Sequence, residues 1–224
     1  MDNKMNKPIA LTPPMGWNSW NTFTWDINEK MICEMADRMV EDGYLEAGYE
    51  YLVIDDCWSL KQRDADGNLV PDPEKFPHGM KWVSDYVHGK GLKFGMYSCA
   101  GTHTCAGYPG SFEHEFQDAK KFAEWGVDYL KYDYCFKPRQ IPGEILYKRM
   151  SLALKNCGRE ILFAACNWGT DGVYDWIRSS GAHTYRSTGD IQDNWESITN
   201  LAISQMGKEP YTGNSATTIW TCWL

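Results

Sequence analysis

The feature that most limits what this chain can fold into is an alternation. Short β-rich runs recur between stretches of helical spacing every 30–40 residues or so, about the length of one strand–helix unit. The runs are Met15–Trp17, Tyr51–Asp55 (YLVID), Leu92–Tyr97 (LKFGMY), Tyr129–Asp133 (YLKYD), Ile161–Cys166 (ILFAAC) and His183–Ser187. Helices are predicted at Asn28–Asp42, Met80–His88, His114–Trp125, Gly143–Asn156, Val173–Ser179 and Asn194–Met206. Around the first of these, Ile27, Met31, Met35 and Met39 recur at helical spacing. Consecutive strands that each return through a helix must run parallel.

An open doubly wound sheet and a barrel both satisfy that pattern. No GxGxxG follows the first strand, which weighs against a dinucleotide-binding sheet. The polar residues gather instead at or just past the ends of several strands: Asp55, Asp56, Tyr97, Asp133, Asn167 and Asp190. Chemistry drawn from many strand ends is the mark of a β/α barrel. The expected fold is therefore α/β, a (β/α)8 TIM barrel. It is incomplete in this chain, since about six units are readable against the eight of a closed barrel. Residues 1–224 are read as one portion of a catalytic barrel.

The formal net charge is −8, and no Lys/Arg run or basic stripe occurs. Nucleic acid and anionic membrane are accordingly poor partners. No stretch approaches the apolar length of a membrane span. Met1–Ile9 is polar and carries lysines rather than an apolar signal core, so a cytoplasmic location is expected. Trp and Tyr number 11 and 13; this suits stacking on sugar faces and equally suits core filling. The eight cysteines include no CxxC pair, so a zinc or thioredoxin-type site is not expected and buried thiols are the default.

Three constellations carry chemistry. In Lys131-Tyr132-Asp133, strand alternation puts Lys131 and Asp133 on one face. A carboxylate held ionised beside an ammonium can attack an anomeric carbon; the same pair also reads as a buried structural ion pair. In Arg186–Asp190 (RSTGD), Asp190 is either a helix cap or a general acid. Two such carboxylates from different strand ends are what a glycosidase needs, with a separation of about 5–5.5 Å for retention. Asp55-Asp56 offers acceptors for sugar hydroxyls or, alternatively, a Mg²⁺ or Ca²⁺ ligand pair. A metal centre is not expected. His78, His88, His103, His114 and His183 do not collect at strand ends. The DADGN turn at Asp64–Asn68 fails as a calcium loop, having Leu69 at its sixth position and Lys75 at its twelfth.

These residues resemble glycoside hydrolase family 27, the α-galactosidase / α-N-acetylgalactosaminidase family. The similar segments run in order: TPPMGWNSW (Thr12–Trp20), YLVIDDCW (Tyr51–Trp58), RDADGNLVPDPEKFPHGM (Arg63–Met80), GLKFGMYSCAG (Gly91–Gly101), TCAGYPGS (Thr104–Ser111), WGVDYLKYDYC (Trp125–Cys135) and RSTGDIQDNW (Arg186–Trp195). The resemblance implies a retaining double displacement without a cofactor, with Asp133 as nucleophile and Asp190 as acid/base. It implies that Asp55 and Asp56 bind the galactose O4 and O6 hydroxyls. Trp17 and Tyr97 would wall the pocket, and Lys131 and Arg186 would hold ring hydroxyls. It also implies a disulfide between Cys105 and Cys135. The substrate implied is an oligosaccharide or glycoconjugate ending in α-linked galactose; oligomeric state is left open.

Three departures from the family pattern matter. Trp25 stands where many members carry the partner of Cys57, so Cys57 is expected to be a free thiol. Asn167 replaces a Glu common in galactosidases at the position that reads the sugar's 2-substituent, so an α-N-acetylgalactosaminidase stays open as the alternative. Finally, NSATTIWTCWL stands where the family continues with a WNDPDML-type loop. With permitted codons, Ser215–Leu224 reads in a neighbouring frame as CYNDNMDMLV, which suggests a reading-frame slip. On that reading the last two units and a C-terminal β domain are lost, strands one and six become open edges, and an inactive fragment is the remaining alternative.

Overall fold

The computed structural model describes residues 9–211 and the strand backbone at Thr217–Ile219. Strands and helices alternate: β1 (Gly16–Asn18), α1 (Trp20–Phe23), α2 (Glu29–Glu41), β2 (Tyr51–Val53), α3 (Gly79–Gly89), β3 (Lys93–Cys99) and α4 (Glu115–Trp125). Then come β4 (Tyr129–Asp133), α5 (Gly143–Lys155), β5 (Leu162–Ala165), α6 (Val173–Ser180), β6 (Thr184–Arg186), α7 (Trp195–Ser204), a 3₁₀ turn (Glu209–Tyr211) and β7 (Thr217–Ile219). The strands pair in parallel and in chain order, β1 through β7. No helix among the described residues is long and apolar enough to cross a membrane.

The local sequence explains where the helices begin and end. α2 starts at Asn28, whose Oδ1 accepts the Met31 N–H at 3.0 Å. It buries Ile32, Ala36 and Met39 against the sheet. α4 stops at Gly126, which takes the left-handed conformation, φ 83°. A Cβ there would lie 2.8 Å from Ser84 Oγ, so glycine is needed for space as well as for φ.

Two apolar clusters divide the sheet's faces. The larger lies between strands and helices and includes Leu52, Phe94, Met96, Leu130, Tyr132, Phe163 and Ala165 with helix residues such as Val83, Phe122 and Leu146. The smaller lies on the concave face: Tyr51, Val53, Tyr129, Leu162 and Ala164, with Ile9 and Ala10 packed against it. Strand register stacks the concave residues in rows. The lower row runs Val53, Gly95, Tyr129, Leu162. The row above runs Tyr97, Lys131, Ala164, Thr184. Above that, Cys99 is paired with Asp133. The interior therefore changes from apolar to ionisable along the strand direction, which fixes the chemically useful end as the C-terminal one.

One element exceeds the expectation from sequence. β7 pairs with β6, Thr184 opposite Thr217 and Arg186 opposite Ile219, so β6 is not an open edge. The outer strands are β1 and β7. The reading-frame interpretation of Ser215–Leu224 lies outside the described residues, apart from the backbone of that strand. At this end of the sheet, α7 has no buried residue, and Trp195 on it is exposed.

Gly95 makes the lower row close-packed: a Cβ there would lie 2.7 Å from Val53 Cγ2 and 3.2 Å from Tyr129 Cβ. Gly95→Ala is expected to cost about 1–3 kcal/mol in urea unfolding. Combined with Val53→Ala, it should show a favourable coupling of at least about 0.5 kcal/mol, since that change removes the clashing methyl. Strict additivity would show that the row is not packed as described.

Candidate active site

The loops past the strand ends are built around buried carboxylates. Asp133 closes β4 and is buried. Its Oδ2 accepts the Tyr97 hydroxyl at 3.1 Å, and its Oδ1 accepts the Tyr134 backbone N–H at 2.9 Å. Burial pushes the Asp133 carboxyl above the usual carboxylate range. Lys131 opposes that, followed by the Tyr134 N–H; Asp55 adds to it, and the Tyr97 hydroxyl opposes it. Tyr97 is held well above the ordinary phenol range, first by burial and then by Asp133 and Asp56, so it stays a donor.

Lys131 also reaches the chain just past β2. Its Nζ bonds to Asp55 Oδ2 at 2.8 Å and lies 5.2 Å from the Tyr97 ring centroid. Asp55 Oδ2 also accepts Asn18 Nδ2 at 2.7 Å, while Oδ1 accepts the Asp56 N–H at 2.9 Å. The Asp55 N–H is itself tied to Ser19 Oγ at 3.0 Å. Asp56 reaches across to the next loop: Oδ2 accepts the Ala106 N–H at 3.0 Å and Oδ1 the Cys57 N–H at 2.7 Å. Burial raises the Asp56 carboxyl despite these bonds.

Trp17 is placed differently from the expectation. It pairs in register with Leu52, a residue of the helix-side core. It packs against that core and edge-to-face on Phe23, ring centroids 5.9 Å apart. The concave positions of β1 are Gly16 and Asn18, so Trp17 does not wall the mouth and Asn18 takes part instead.

Asp190 lies beyond β6 and pairs with Arg186 Nη1 at 2.6 Å; the Arg186 side chain is 5 % exposed and that of Asp190 76 %. Arg186 Nη2 also donates to the Thr188 carbonyl at 3.0 Å, and Nη1 lies 3.9 Å from Cys166 Sγ. Asn167 is fully enclosed. Its Nδ2 donates to the Thr170 carbonyl at 2.7 Å, and among the described residues its Oδ1 has no partner.

Cys105 and Cys135 form a disulfide that joins the β3–α4 and β4–α5 loops beside Asp133. The same two loops touch closely at Gly101, where a Cβ would lie 2.0 Å from the Cys135 carbonyl oxygen. Cys57 is a buried free thiol pushed up to about 11, chiefly by burial and then by Asp56. Three non-glycine residues just past strand ends sit in the left-handed region: Cys57 (φ 70°), Phe136 (φ 49°) and Trp168 (φ 56°). The chain thus takes strained turns immediately after Asp56, near Asp133 and after Asn167. Arg63, from the long β2–α3 loop, clamps Asp118 with two bonds of 2.7 and 2.8 Å and the Gly110 carbonyl at 2.6 Å.

Parallel strands with helical returns, and ionisable side chains converging at their C-terminal ends, define a β/α-barrel enzyme scaffold. A family model for alpha galactosidase A matches residues 12–212, and the chain belongs to that family. It is 53 % identical over 199 residues to alpha-galactosidase 2 of Arabidopsis thaliana, covering 88 % of this chain and 50 % of that protein. To alpha-galactosidase A of Cellvibrio japonicus it is 51 % identical over 187 residues, 84 % of this chain and 46 % of that one. The solved Saccharomyces cerevisiae α-galactosidase (MEL1) superposes with a TM-score of 0.90 at 38 % identity, covering 95 % of this chain and 52 % of that one. The chain spans about half the length of the curated relatives it matches.

The raised Asp133 carboxyl has a consequence for stability. Between the unfolded and folded pKa values the folded state holds more protons, so stability falls as pH rises through that window and is level above it. Asp133→Asn removes the penalty. It should raise the urea midpoint near neutral pH, with an advantage that shrinks as the pH is lowered through the carboxylate range. A midpoint that drops at neutral pH and recovers in acid would reverse the assigned sign.

Proposed function

We propose that this chain carries the catalytic face of a retaining α-galactosidase, releasing terminal α-linked galactose from oligosaccharides or glycoconjugates. The observation that carries the reading is Asp133: a buried carboxylate at the C-terminal end of β4, oriented by Tyr97 and Tyr134 beside the Lys131–Asp55 pair. Both oxygens are fixed, so the group is aimed before substrate arrives, which is where most of a nucleophile's advantage lies.

In the proposed reaction Asp133 attacks the anomeric carbon while Asp190 protonates the departing glycosidic oxygen. A galactosyl ester forms on Asp133. Asp190, now the base, then takes a proton from water, which attacks the same carbon and restores the starting configuration. β4 and β6 are separated only by β5, so their axes lie about 10 Å apart. Two side chains directed into the gap from those strand ends can approach the separation that retention requires. Asp55 and Asp56 keep lone pairs free for sugar hydroxyls after the bonds already described. The role proposed for Arg186, paired with Asp190 at the end of β6, is to hold a ring hydroxyl. No step calls on a cofactor. The name α-galactosidase borne by the relatives supports the choice of sugar, and the Saccharomyces cerevisiae enzyme solved with raffinose supports an oligosaccharide substrate.

A fluorinated galactosyl donor whose glycosyl ester turns over slowly should label the peptide that contains Asp133. Asp133→Asn should abolish the label and lower kcat/KM on a nitrophenyl α-galactoside by about 10³-fold or more. Label on another residue, or near-normal turnover by Asp133→Asn, would remove Asp133 from its role.

A further inference from the structure

The Cys105–Cys135 disulfide and the Asp133 carboxylate form one cluster. The two Sγ atoms and a carboxylate oxygen all lie within 4.8 Å of one another. Tyr97 stands at its edge, its hydroxyl 3.5 Å from Cys105 Sγ and 3.1 Å from Asp133 Oδ2. Asp133 is buried, Cys135 half-buried and Cys105 exposed, so solvent reaches the cluster at Cys105. Asp55 and Asp56 are also buried nearby, and both act electrostatically on Tyr97 as Asp133 does. Among the described residues Lys131 is the cation bonded within this group, to Asp55. The surroundings therefore hold more negative than positive charge and favour a cation.

We infer that reducing this disulfide converts the mouth of the barrel into a binding site for a thiophilic divalent cation such as Zn²⁺, with Cys105, Cys135 and Asp133 as ligands and water in the fourth position. The balance is simple. A dithiol breaks the S–S bond by giving up its two thiol hydrogens and becoming a cyclic disulfide, or a phosphine does so with one water, which supplies the oxygen of the phosphine oxide and the two thiol protons; either way two protein thiols are left. Zn²⁺ then displaces one proton from each thiol. A tetrahedral zinc ion, with Zn–S near 2.3 Å and Zn–O near 2.0–2.2 Å, keeps its ligand atoms about 3.5–3.8 Å apart. The ligand atoms already lie within 4.8 Å of one another, so this spacing asks only for side-chain rotation of the freed cysteines. Two thiolates and a carboxylate select zinc over the hard cations Mg²⁺ and Ca²⁺. The bridge thus does more than tie two loops: while oxidised, it keeps soft metals off the residue proposed as nucleophile. The site stands or falls on its own, because metal binding is measured without turnover.

The test is zinc affinity of the whole chain, oxidised and after phosphine reduction and anaerobic desalting, against a competing chromophoric chelator. Co²⁺ serves as the spectroscopic probe. Reduced protein should take up a single tightly held zinc per chain, and its cobalt form should show thiolate charge-transfer and tetrahedral visible bands. Oxidised protein should show neither. Asp133→Asn, nearly isosteric and so expected to fold, should weaken zinc by at least about tenfold while keeping the charge-transfer band. Cys105→Ser/Cys135→Ser should abolish both. Equal binding by oxidised protein, zinc retained by the double serine variant, no uptake after reduction, or undiminished affinity in Asp133→Asn would each overturn the assignment. Failure of the galactosidase reading would appear separately, as absent sugar turnover with zinc binding intact.

Discussion

The structure depends most on one buried cation. Lys131 is enclosed on the concave face among three buried aspartates, and its bond to Asp55 fixes where their charges can sit. Burying charge this way is costly unless every partner is well placed. Here Asp55 is bonded by Lys131, Asn18 and the Asp56 backbone, and it draws β1, β2 and β4 to a common point. Asp133, one step further along β4, accepts bonds from the Tyr97 hydroxyl and the Tyr134 N–H and feels the same ammonium electrostatically. One ammonium thus bonds one carboxylate directly and acts on the other electrostatically.

The loops around this pair are fastened to one another. Asp56 grips the backbone at Ala106, and the disulfide joins that same loop to the chain beyond Asp133. Arg63 holds the long β2–α3 loop against α4 and Gly110. Past β5, Asp171 accepts Tyr134 Oη at 2.6 Å and the Gly143 N–H at 2.7 Å, locking the β4–α5 and β5–α6 turns together. Side chains placed by such cross-links move little. This is what a site needs if its strained turns at Cys57, Phe136 and Trp168 are to persist.

Most of this was legible in the sequence because parallel strands of a barrel read as apolar runs with chemistry at one end. YLKYD marks β4 and its terminal aspartate without ambiguity, and the helix spacing around Met31, Met35 and Met39 marks α2. The facing of Trp17 was not legible. Its strand has three residues, too few for alternation to reveal a face, and only pairing with Leu52 decides it. Asn18 was missed for the same reason; although it lies within the TPPMGWNSW segment, its part shows only once Asp55 lies across from it. That Lys131 would bond Asp55, which lies beyond another strand, is likewise a tertiary fact. β7 was hidden because TTI is short and is followed by residues that do not continue the family pattern.

The most direct test of the account is the ¹³C NMR titration of the Asp133 carboxyl in wild-type protein and in Lys131→Met. With the ammonium present, Asp133 should titrate above the ordinary carboxylate range, and removing the ammonium should move it higher still. An Asp133 that titrates like a solvent-exposed carboxylate in wild type, or that does not respond when Lys131 is replaced, would contradict the claim that this buried cation sets the charge of the site.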